Sequence, residues 1–429
     1  MGCGDTSHGD AVTSSESTSL PQTINSELEN EVENEFQEGD GENDILARAV
    51  GDYPGQIALA STSSSGVSAN ANSYGASLSA DGKYLAFVST ATNLSDRYTH
   101  SQYQIYRKNL ETGEIVCVSA QNPWTELGNN RSFQAHISDN GRRVAFTSRA
   151  QNLVSGKTIP ANIDQVYVAR FYDTPPGYPE TDYQLDLVTQ SMVNWNAAAS
   201  GHSYIREFSG DKFLALRSNA SDLHYDDNDS KTDLFLTEIQ ENTGYYGGNS
   251  IHYFTQLWSR NNSYVKGNGN STSPTLSETG DISYFTTSAA NLVPPGTVRP
   301  ALISSRYQNN QHLTLRPGAK YYDIDAAEKD PAKVVVAVRN QANTAYELYY
   351  HNQGAPFPGP SYVTEKKLSG NARQEDGFAI SDDGRFVVYE DLDNPEFSDA
   401  DGRYDIYLYD AQQDKHYFVT KNSPNTGHA

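Results

Sequence analysis

One short phrase recurs along this chain and limits its fold more than any other feature. It consists of an apolar residue, a serine, two residues that often include Asp, a Gly or a substitute, and then an apolar strand. The serines of the five copies are Ser79, Ser138, Ser209, Ser277 and Ser381. An Asp-Gly pair between two apolar runs is a strong hairpin signal, because Gly accepts a positive φ and Asp tolerates the turn. Each copy therefore predicts two antiparallel strands joined by a tight turn.

The spacing of the copies indicates one further unit. Successive serines are separated by 59, 71, 68 and 104 residues, and the last gap is twice 52. Residues 334–338 and 347–350 have the apolar pattern of two strands in the middle of that gap, although they lack the Ser/Asp-Gly phrase. The chain therefore contains six repeated units.

Each unit also carries signals after its second strand. Four units have an Asn or Asp at the same point, and a side chain there can bond its own backbone and hold the exit turn. These residues are Asn93, Asn152, Asp222 and Asn291. A third strand follows, as at 233–236 and 405–408, and then a fourth, as at 115–118. Four antiparallel strands per unit form one blade of a β-propeller.

The phrases Ser-x-Asp-Gly-Lys-Tyr-Leu-Ala-Phe and Asp-Ile-Tyr-Leu-Tyr-Asp, at residues 79–87 and 405–410, resemble the repeats of TolB-type β-propellers. The resemblance covers roughly residues 56–422. It implies a β-propeller, and the six repeated units predict an all-β ring of six blades, with seven blades as the alternative. Two segments compete for the fourth strand of the last blade, 56–61 and 416–420, so either the first completes the ring or one of them lies outside it.

Charge and composition exclude several partners. The 54 acidic and 31 basic residues give a formal net charge of -23, which repels a nucleic-acid backbone and an anionic membrane surface. The abundance of Tyr, with 29 residues, and the scarcity of Met, with two, suit short strands and turns. We expect a chain that is monomeric by itself.

Residues 1–50 differ from the remainder, 51–429, which we assign to the propeller. They hold twelve acidic residues and one basic residue and lack hydrophobic periodicity, so we predict a disordered acidic tether. Gly2-Cys3 before a polar stretch resembles the cleavage site of a bacterial lipoprotein, with Cys3 as the lipidated residue. The same residues fit a loose N-myristoylation pattern. The lipoprotein reading predicts attachment to the cell envelope, in the periplasm or at the surface, with the membrane reached only through the lipid.

We find no known catalytic motif in the sequence. Ligands of propellers usually gather at the mouth of the central channel, so residues just before the repeated serines are the candidates for ligand binding. They are Arg131, His136, Tyr204, Arg206, Glu207, Arg373 and Glu375. Aligning the units on their serines places His136, Glu207 and Thr275 in one column. These groups could bind an anionic sugar or a peptide terminus, act as acid and base, or form a buried structural pair between blades.

Two loops are rich in oxygen ligands and suggest calcium sites, because alternate side chains of a tight loop can converge on a hard cation. The candidate ligands are Asp226, Asn228, Asp229, Asp233, Asp399, Asp401 and Asp405. Neither loop has the full ligand set of an EF-hand, and solvated turns capped by Asp are the structural alternative.

Taken together, these patterns predict a non-catalytic binding or scaffold lipoprotein of the bacterial envelope, which uses the propeller face to bind a protein or glycan partner. The alternative is a propeller enzyme that cleaves acidic polysaccharides.

Overall fold

The computed structural model describes residues 58–95, 102–121, 126–172, 182–243, 249–306, 311–317, 321–339, 346–352, 364–372, 377–392, 397 and 403–419. This part of the chain is built from β-strands and contains no α-helix, which confirms the all-β prediction. No helix within it is long and apolar enough to cross a membrane.

The strands follow one another in six consecutive groups of four, here called units one to six. Units one and two comprise β1 (Ser73–Leu78), β2 (Tyr84–Ser89), β3 (Gln104–Asn109), β4 (Ile115–Cys117), β5 (Ser132–Ile137), β6 (Arg143–Ser148), β7 (Gln165–Phe171) and β8 (Tyr183–Leu187). Units three and four comprise β9 (Ser203–Ser209), β10 (Phe213–Ser218), β11 (Asp233–Thr243), β12 (Asn249–Leu257), β13 (Ser271–Leu276), β14 (Ile282–Thr287), β15 (Ala301–Arg306) and β16 (Gln311–Pro317). Units five and six comprise β17 (Tyr321–Ala326), β18 (Lys333–Arg339), β19 (Tyr346–Asn352), β20 (Thr364–Ala372), β21 (Phe378–Ile380), β22 (Phe386–Asp391), β23 (Asp405–Asp410) and β24 (Lys415–Phe418).

Within each unit the strands pair antiparallel in chain order. One additional pair, Ala372 with Asp391, links the sheets of units five and six. The strands that we assigned to the hidden unit are present as β18 and β19, so that prediction is confirmed.

The repeated serine closes the turn between the first two strands of a unit. In unit one Ser79 Oγ donates to the Asp81 carboxylate (2.6 Å) and accepts the N–H of Tyr84 (2.9 Å). Ser138 and Ser381 make equivalent bonds in units two and six, where the side-chain acceptors are the Asn140 amide oxygen and the Asp383 carboxylate. The glycine of the turn has φ +72° at Gly82, a conformation that L side chains rarely adopt. The phrase therefore recurs because one turn geometry recurs.

These turns also bond to one another and join the units in sequence. Backbone N–H groups of Ala80, Asp139, Glu278 and Lys329 donate to the carbonyls of Asp139, Gly210, Glu328 and Asp382, at 2.9 to 3.0 Å. Units three and four are joined by a side chain: Ser209 Oγ donates to the carbonyl of Ser277, at 2.8 Å. Glu328 of unit five also reaches back to the Gly210 N–H of unit three (3.3 Å). The turns therefore gather around a common axis.

Most of the hydrophobic core lies between neighbouring units, although one further cluster, which includes Phe87, Leu94 and Tyr106, lies within unit one and its connections. One cluster joins units one and two, where Val88 and Ile105 pack with Ile137 and Phe146. Equivalent clusters join each later pair of units through to units five and six. Blades that pack face to face about an axis form a β-propeller. Closure between units six and one stays a prediction, as does the choice between six and seven blades.

Two segments competed in the sequence for the last fourth strand. Unit six has its own fourth strand, β24, which pairs with β23. Residues 58–61 are not in a strand, and residues 56 and 57 lie outside the described residues. The chain divides into two parts, residues 1–44 and Ile45–Ala429. Residues 1–44 also lie outside the described residues, and every described strand belongs to Ile45–Ala429.

Candidate functional site

Because the strands of a unit alternate in direction, its connections lie at two opposite ends. We call the end with the connections from first to second and from third to fourth strand the turn face. The other end, with the connections from second to third strand and on to the next unit, is the loop face. The hydrogen bonds between turns place the turn faces of the six units side by side.

The loop face carries most of the exposed large apolar side chains. Of thirteen such residues in the described part of the chain, seven lie in its connections and two more, Val67 and Val419, lie before the first strand and after the last. They are Val67, Val193, Trp195, Tyr225, Tyr264, Val265, Val298, Tyr404 and Val419. The most exposed are Val193, at 82%, and Tyr225, at 71%. Exposed apolar side chains mark an interaction surface where they form a contiguous patch.

Short hairpins hold several of these side chains in place. In the connection from unit two to unit three, Gln190 bridges Ala198, and Ser191 Oγ accepts the Val193 N–H (3.3 Å). The ammonium of Lys157 donates to the Trp195 carbonyl (2.6 Å). The hairpin that carries Tyr264 has the same form, with Arg260 bridging Lys266. The apolar tips are therefore presented from fixed backbones.

The Asn and Asp residues that follow the second strand fasten these hairpins. Asn152 accepts the Asn129 N–H (2.8 Å) and donates to the Leu127 carbonyl (2.9 Å). Asn93 and Asn291 make the same pair of bonds, and Asp222 accepts from Ser200. The structural role is confirmed, but the partner is the hairpin 22 to 25 residues earlier rather than the residue's own turn.

A column of polar side chains lies at one register of the first strands, two residues before each turn. Its members are Ser77, His136, Glu207, Thr275 and Asp325, which pair with Ala86, Ala145, Ala215, Tyr284 and Val335. We call this set the axial column, because first strands line the channel of a propeller. The predicted alignment of His136, Glu207 and Thr275 is present.

Three members of the axial column tie one unit to the next. The Ser77 hydroxyl accepts the Ile137 N–H at 3.0 Å, and Glu207 Oε2 accepts the Leu276 N–H at 2.8 Å. Asp325 Oδ2 accepts the Ile380 N–H at 2.9 Å. Glu207 therefore bonds to the following unit, and His136 is not its hydrogen-bond partner.

The interior environment shifts the pKa of every titratable group in the axial column. Burial, helped by the charge of Arg206, lowers the pKa of His136 to about 4, so the imidazole is neutral at pH 7. Burial also raises the pKa of Asp325 to about 6. The pKa of Glu207 lies well above its usual value because of burial and the charges of Glu328 and Asp325.

The residues predicted to bind a ligand lie in different environments. Arg131, His136, Arg206 and Glu207 are half-buried on first strands or just before them. Tyr204 is only 1% exposed, and its hydroxyl donates to Asp164 (3.2 Å), so it faces a structural network instead of a ligand. Arg373 and Glu375 lie outside the described residues.

The Asp164 network was missed in the sequence. This carboxylate accepts a bidentate pair from Arg149 (both 2.9 Å) and contacts His202 Nδ1 (2.9 Å). Burial of Asp164 opposes ionisation, but the bonds from His202 and Arg149 prevail and lower its pKa to about 2. No phrase in the sequence connects these residues, which come from three separate segments.

A second cluster of carboxylates lies in the loop before β11. Asp227, Asp229 and Asp233 offer oxygens within 4.8 Å of one another, which could hold a metal ion. The ammonium of Lys266 lies 3.1, 2.6 and 2.6 Å from these three carboxylates. Asp227 Oδ2 is buried and lacks a hydrogen-bond partner. Burial and the charge of Asp233 raise the Asp227 pKa to about 6.

This cluster overlaps the predicted calcium ligands in part. Asp229 and Asp233 belong to it, whereas Asp226 and Asn228 are exposed and stand outside it. Asp227 was missed. In the other predicted loop Asp405 is buried at the start of β23, and Asp399 and Asp401 lie outside the described residues.

A polar cleft of about 630 Å³ lies between units five and six. Its lining includes Lys333, Lys366 and Arg385. Each of these cations already has an acidic partner, namely Asp330, Asp414 and Asp410. The cleft is therefore internally neutralised.

No family profile and no curated protein matches this chain. Among solved structures, the β-propeller domain of the trilobed protease from Pyrococcus furiosus is similar over 82% of this chain and 86% of its own, with 12% identity and a TM-score of 0.46. Oligogalacturonate lyase from Vibrio parahaemolyticus is similar over 81% and 77%, with 10% identity and a TM-score of 0.42. Sqt1 from Chaetomium thermophilum is similar over 80% and 70%, with 11% identity and a TM-score of 0.39.

Proposed function

We propose that this chain is a non-catalytic binding protein whose loop face engages a protein partner. The observation that carries the proposal is the collection of nine exposed apolar side chains on one face. Trp and Tyr dominate binding energy at protein interfaces, because they bury a large area at low entropic cost. The aliphatic members favour a protein over a glycan, since sugars stack on aromatic rings.

The loop face also suits binding because its backbone is already held. Hairpins fastened by Asn93, Asn152, Asp222 and Asn291 need little further ordering when a partner docks. This feature supports binding as the function of the loop face.

A TolB-type lipoprotein of the bacterial envelope remains our proposal for the setting of this function. Residues 1–50 would serve as the acidic tether and Cys3 as the lipidated residue. We expect Cys3→Ser to move the protein from the membrane fraction to the soluble fraction of cells that lipidate the native precursor. Retention in the membrane fraction would contradict the lipid anchor.

Quantitative capture from envelope extract tests the binding face. The loop-face variant combines Val193→Ser, Trp195→Ser and Tyr225→Ser, and the control combines Leu78→Ser and Tyr172→Ser on the turn face. We expect the loop-face variant to lose about tenfold or more of the captured partner, the effect of removing one interface hot spot. The control should capture as much as the wild type. Equal capture by all three proteins, or turnover of an acidic polysaccharide by the wild type, would contradict the proposal.

We also propose that Asp227, Asp229 and Asp233 bind Ca²⁺ in place of the Lys266 ammonium. Three carboxylates exceed the charge of the two ammonium groups that contact them, those of Lys266 and Lys231, and Asp227 Oδ2 has no hydrogen-bond partner. A hard dication prefers carboxylate oxygens and would relieve this repulsion. Lys266 competes for the same position, so the site should be weak in the wild type.

Thermal unfolding in Ca²⁺ and in chelator tests this site. We expect Ca²⁺ to raise the melting temperature, because a ligand that binds only the folded state stabilises it by about 2.7 kcal/mol at 100 times its Kd. Asp227→Asn should abolish the shift, whereas the exposed neighbour Asp226→Asn should keep it. Lys266→Met should destabilise the protein in chelator and enlarge the shift. If Ca²⁺ changes the melting temperature of neither the wild type nor Lys266→Met, the site is ruled out.

A further inference from the structure

The sheet of unit six has one side that the rest of the described fold leaves open. Val388 lies at the second-strand register whose counterparts in units one to five are Ala86, Ala145, Ala215, Tyr284 and Val335. Those five side chains are at most 1% exposed because the next unit packs over them, whereas Val388 is 39% exposed. Leu408, which pairs with Val388, and the neighbouring Ile406 are only half-buried. Unit six therefore lacks the cover that each earlier unit receives from its successor.

The residue that follows the fourth strand shows the same difference. In units one, two, three and six its N–H donates to a carbonyl of the third strand, and the donors are Val118, Val188, Trp258 and Val419. The first three pack toward the next unit and are at most 5% exposed, whereas Val419 is 53% exposed. We call the apolar surface formed by Val388, Ile406, Leu408 and Val419 the open side of unit six.

The matching side of unit one is covered by the chain that precedes it. Phe87 on this side is 3% exposed, and Ala69 packs against its cluster. The ammonium of Lys108, on the same side, donates to the Thr62 carbonyl (2.7 Å). Residues 62–69 therefore lie against the side of unit one that faces away from unit two.

This segment has the hydrogen bonds of a connection between two units. The Ala69 N–H donates to the Ser61 carbonyl (2.8 Å). The same bond occurs in the connections to units two, three and four, with the acceptors Ser119, Thr189 and Ser259. Each of these acceptors lies two residues after a fourth strand. By this correspondence the chain before Ser61 comes from the fourth-strand position of the preceding unit, which in a closed ring is unit six. In unit six that position is already taken by β24.

The composition of residues 45–57 suits an apolar surface. Seven of these 13 residues are apolar, against nine of the 44 before them. The chain also divides at Ile45, where this segment joins the part that holds the strands. Thirteen extended residues span about 43 Å and a six-residue strand about 20 Å, so the segment is long enough to cross a blade.

We propose that residues 45–57 pack on the open side of unit six and close the ring between units six and one. Burial of Val388, Leu408 and Val419 removes apolar area from water, and the segment is already joined to unit one, so its effective concentration is high. The tether then ends at residue 44 instead of 50 and leaves the propeller between its last and first units. Val419 belongs to this contact rather than to the loop face, and the contact does not depend on the function proposed for that face.

Thiol labelling of the full chain tests the contact. Cys3→Ser removes one native thiol, and Cys117 is buried. Val388→Cys then places a probe on the open side, and Val193→Cys places one at a side chain that is 82% exposed. Each iodoacetamide labelling rate is divided by the rate of the same variant unfolded in urea. We expect Val388→Cys to be protected about tenfold or more relative to Val193→Cys, because a packed segment must open before the thiol reacts.

Paired substitutions locate the cover. Leu46→Asp with Ile57→Asp should raise the labelling rate of Val388→Cys about tenfold, because a charged side chain is unfavourable in an apolar contact. The control pair, Leu20→Asp with Leu28→Asp, lies in the tether and should leave the rate unchanged. The first pair should also lower the melting temperature, and the control pair should not. If the first pair does not fold, Leu46→Ser with Ile57→Ser replaces it.

Three results would overturn the proposal. The first is labelling of Val388→Cys as fast as that of Val193→Cys, which would show that the open side is not covered. The second is protection that both aspartate pairs leave intact, which would assign the cover to unit one itself or to residues 420–429. The third is protection that is lost on dilution, which would assign the cover to a second copy of this chain.

Discussion

Asp164 shows how single residues stabilise the contact between units two and three. It lies before β7 and is fully buried, with Arg149 in its own unit and His202 at the start of unit three as its partners. Tyr204 donates to the same carboxylate. A buried carboxylate is stable only when its oxygens accept well-formed hydrogen bonds. Here the Arg149 guanidinium, the His202 imidazole and the Tyr204 hydroxyl all contact the Asp164 oxygens.

The lowered pKa of Asp164 makes a prediction about acid stability. A carboxyl with a folded pKa of about 2 and an unfolded value of 3.8 stabilises the fold above pH 4, and this contribution is lost as the pH falls through 2. The shift corresponds to roughly 2 to 3 kcal/mol. We expect Asp164→Asn to lower the free energy of unfolding at pH 7 and to flatten its decline between pH 4 and 2, as measured by urea unfolding.

The matched control for Asp164 is the exposed Asp226→Asn, which should reproduce the wild-type pH profile. If Asp164→Asn and the wild type lose stability in parallel between pH 4 and 2, the Asp164 network does not carry this charge dependence.

Residues of the candidate sites were predictable where the repeat was intact. The phrase around the turn serine aligned His136, Glu207 and Thr275 correctly. Asp325 was missed because unit five lacks the Ser/Asp-Gly phrase, so its first strand could not be aligned with those of the other units. Lys266 was missed because it follows β12, 33 residues after Asp233, and only the packing of two loops brings the charges together.

At the scale of elements, the first turn of one unit packs against the second strand of the unit before it. Gly141 has φ +69°, and a Cβ there would overlap the ring of Tyr84. Gly280 meets Phe213 in the same way. Gly82 in unit one has a similar φ, but nothing lies within 4 Å of its Cβ position. Gly82 and Gly141 therefore hold the same position in the motif and differ only in whether a side chain of the preceding unit lies against them.

This pair separates the cost of the turn from the cost of packing. We expect Gly82→Ala to destabilise the fold by about 1 to 2 kcal/mol, because a left-handed conformation is strained for any L residue. Gly141→Ala should cost about 1 to 3 kcal/mol more, because it also forces the Tyr84 ring aside. Chemical unfolding of both variants measures the difference. Equal losses would show that the turn alone requires glycine.

The sequence predicted the elements well because turn chemistry and strand pattern agreed. β2, β6, β14 and β22 each follow a turn phrase, and β18 was predicted from its valines alone. The proposed strand at 56–61 had an apolar pattern without a turn phrase, and its described residues are not in a strand. Apolar character alone does not specify pairing, since a partner with the right register is also needed.

At the scale of the whole described fold, the two faces differ in chemistry. The loop face presents apolar tips such as Trp195 and Tyr225, whereas the turn face presents carboxylates such as Asp139 and Asp382. Charge therefore keeps the turn face solvated, whereas we propose that the loop face binds a protein. Composition alone could not show this division, because it depends on which connections lie at which end.

Site-specific photo-crosslinking tests the binding face most directly. A benzoylphenylalanine replaces Trp195 or Tyr264 on the loop face, or Tyr172 on the turn face, and cells that naturally make the protein are irradiated. We predict that positions 195 and 264 give adducts with the same protein and that position 172 does not. Adducts of equal yield from both faces, or from position 172 alone, would contradict binding through the loop face.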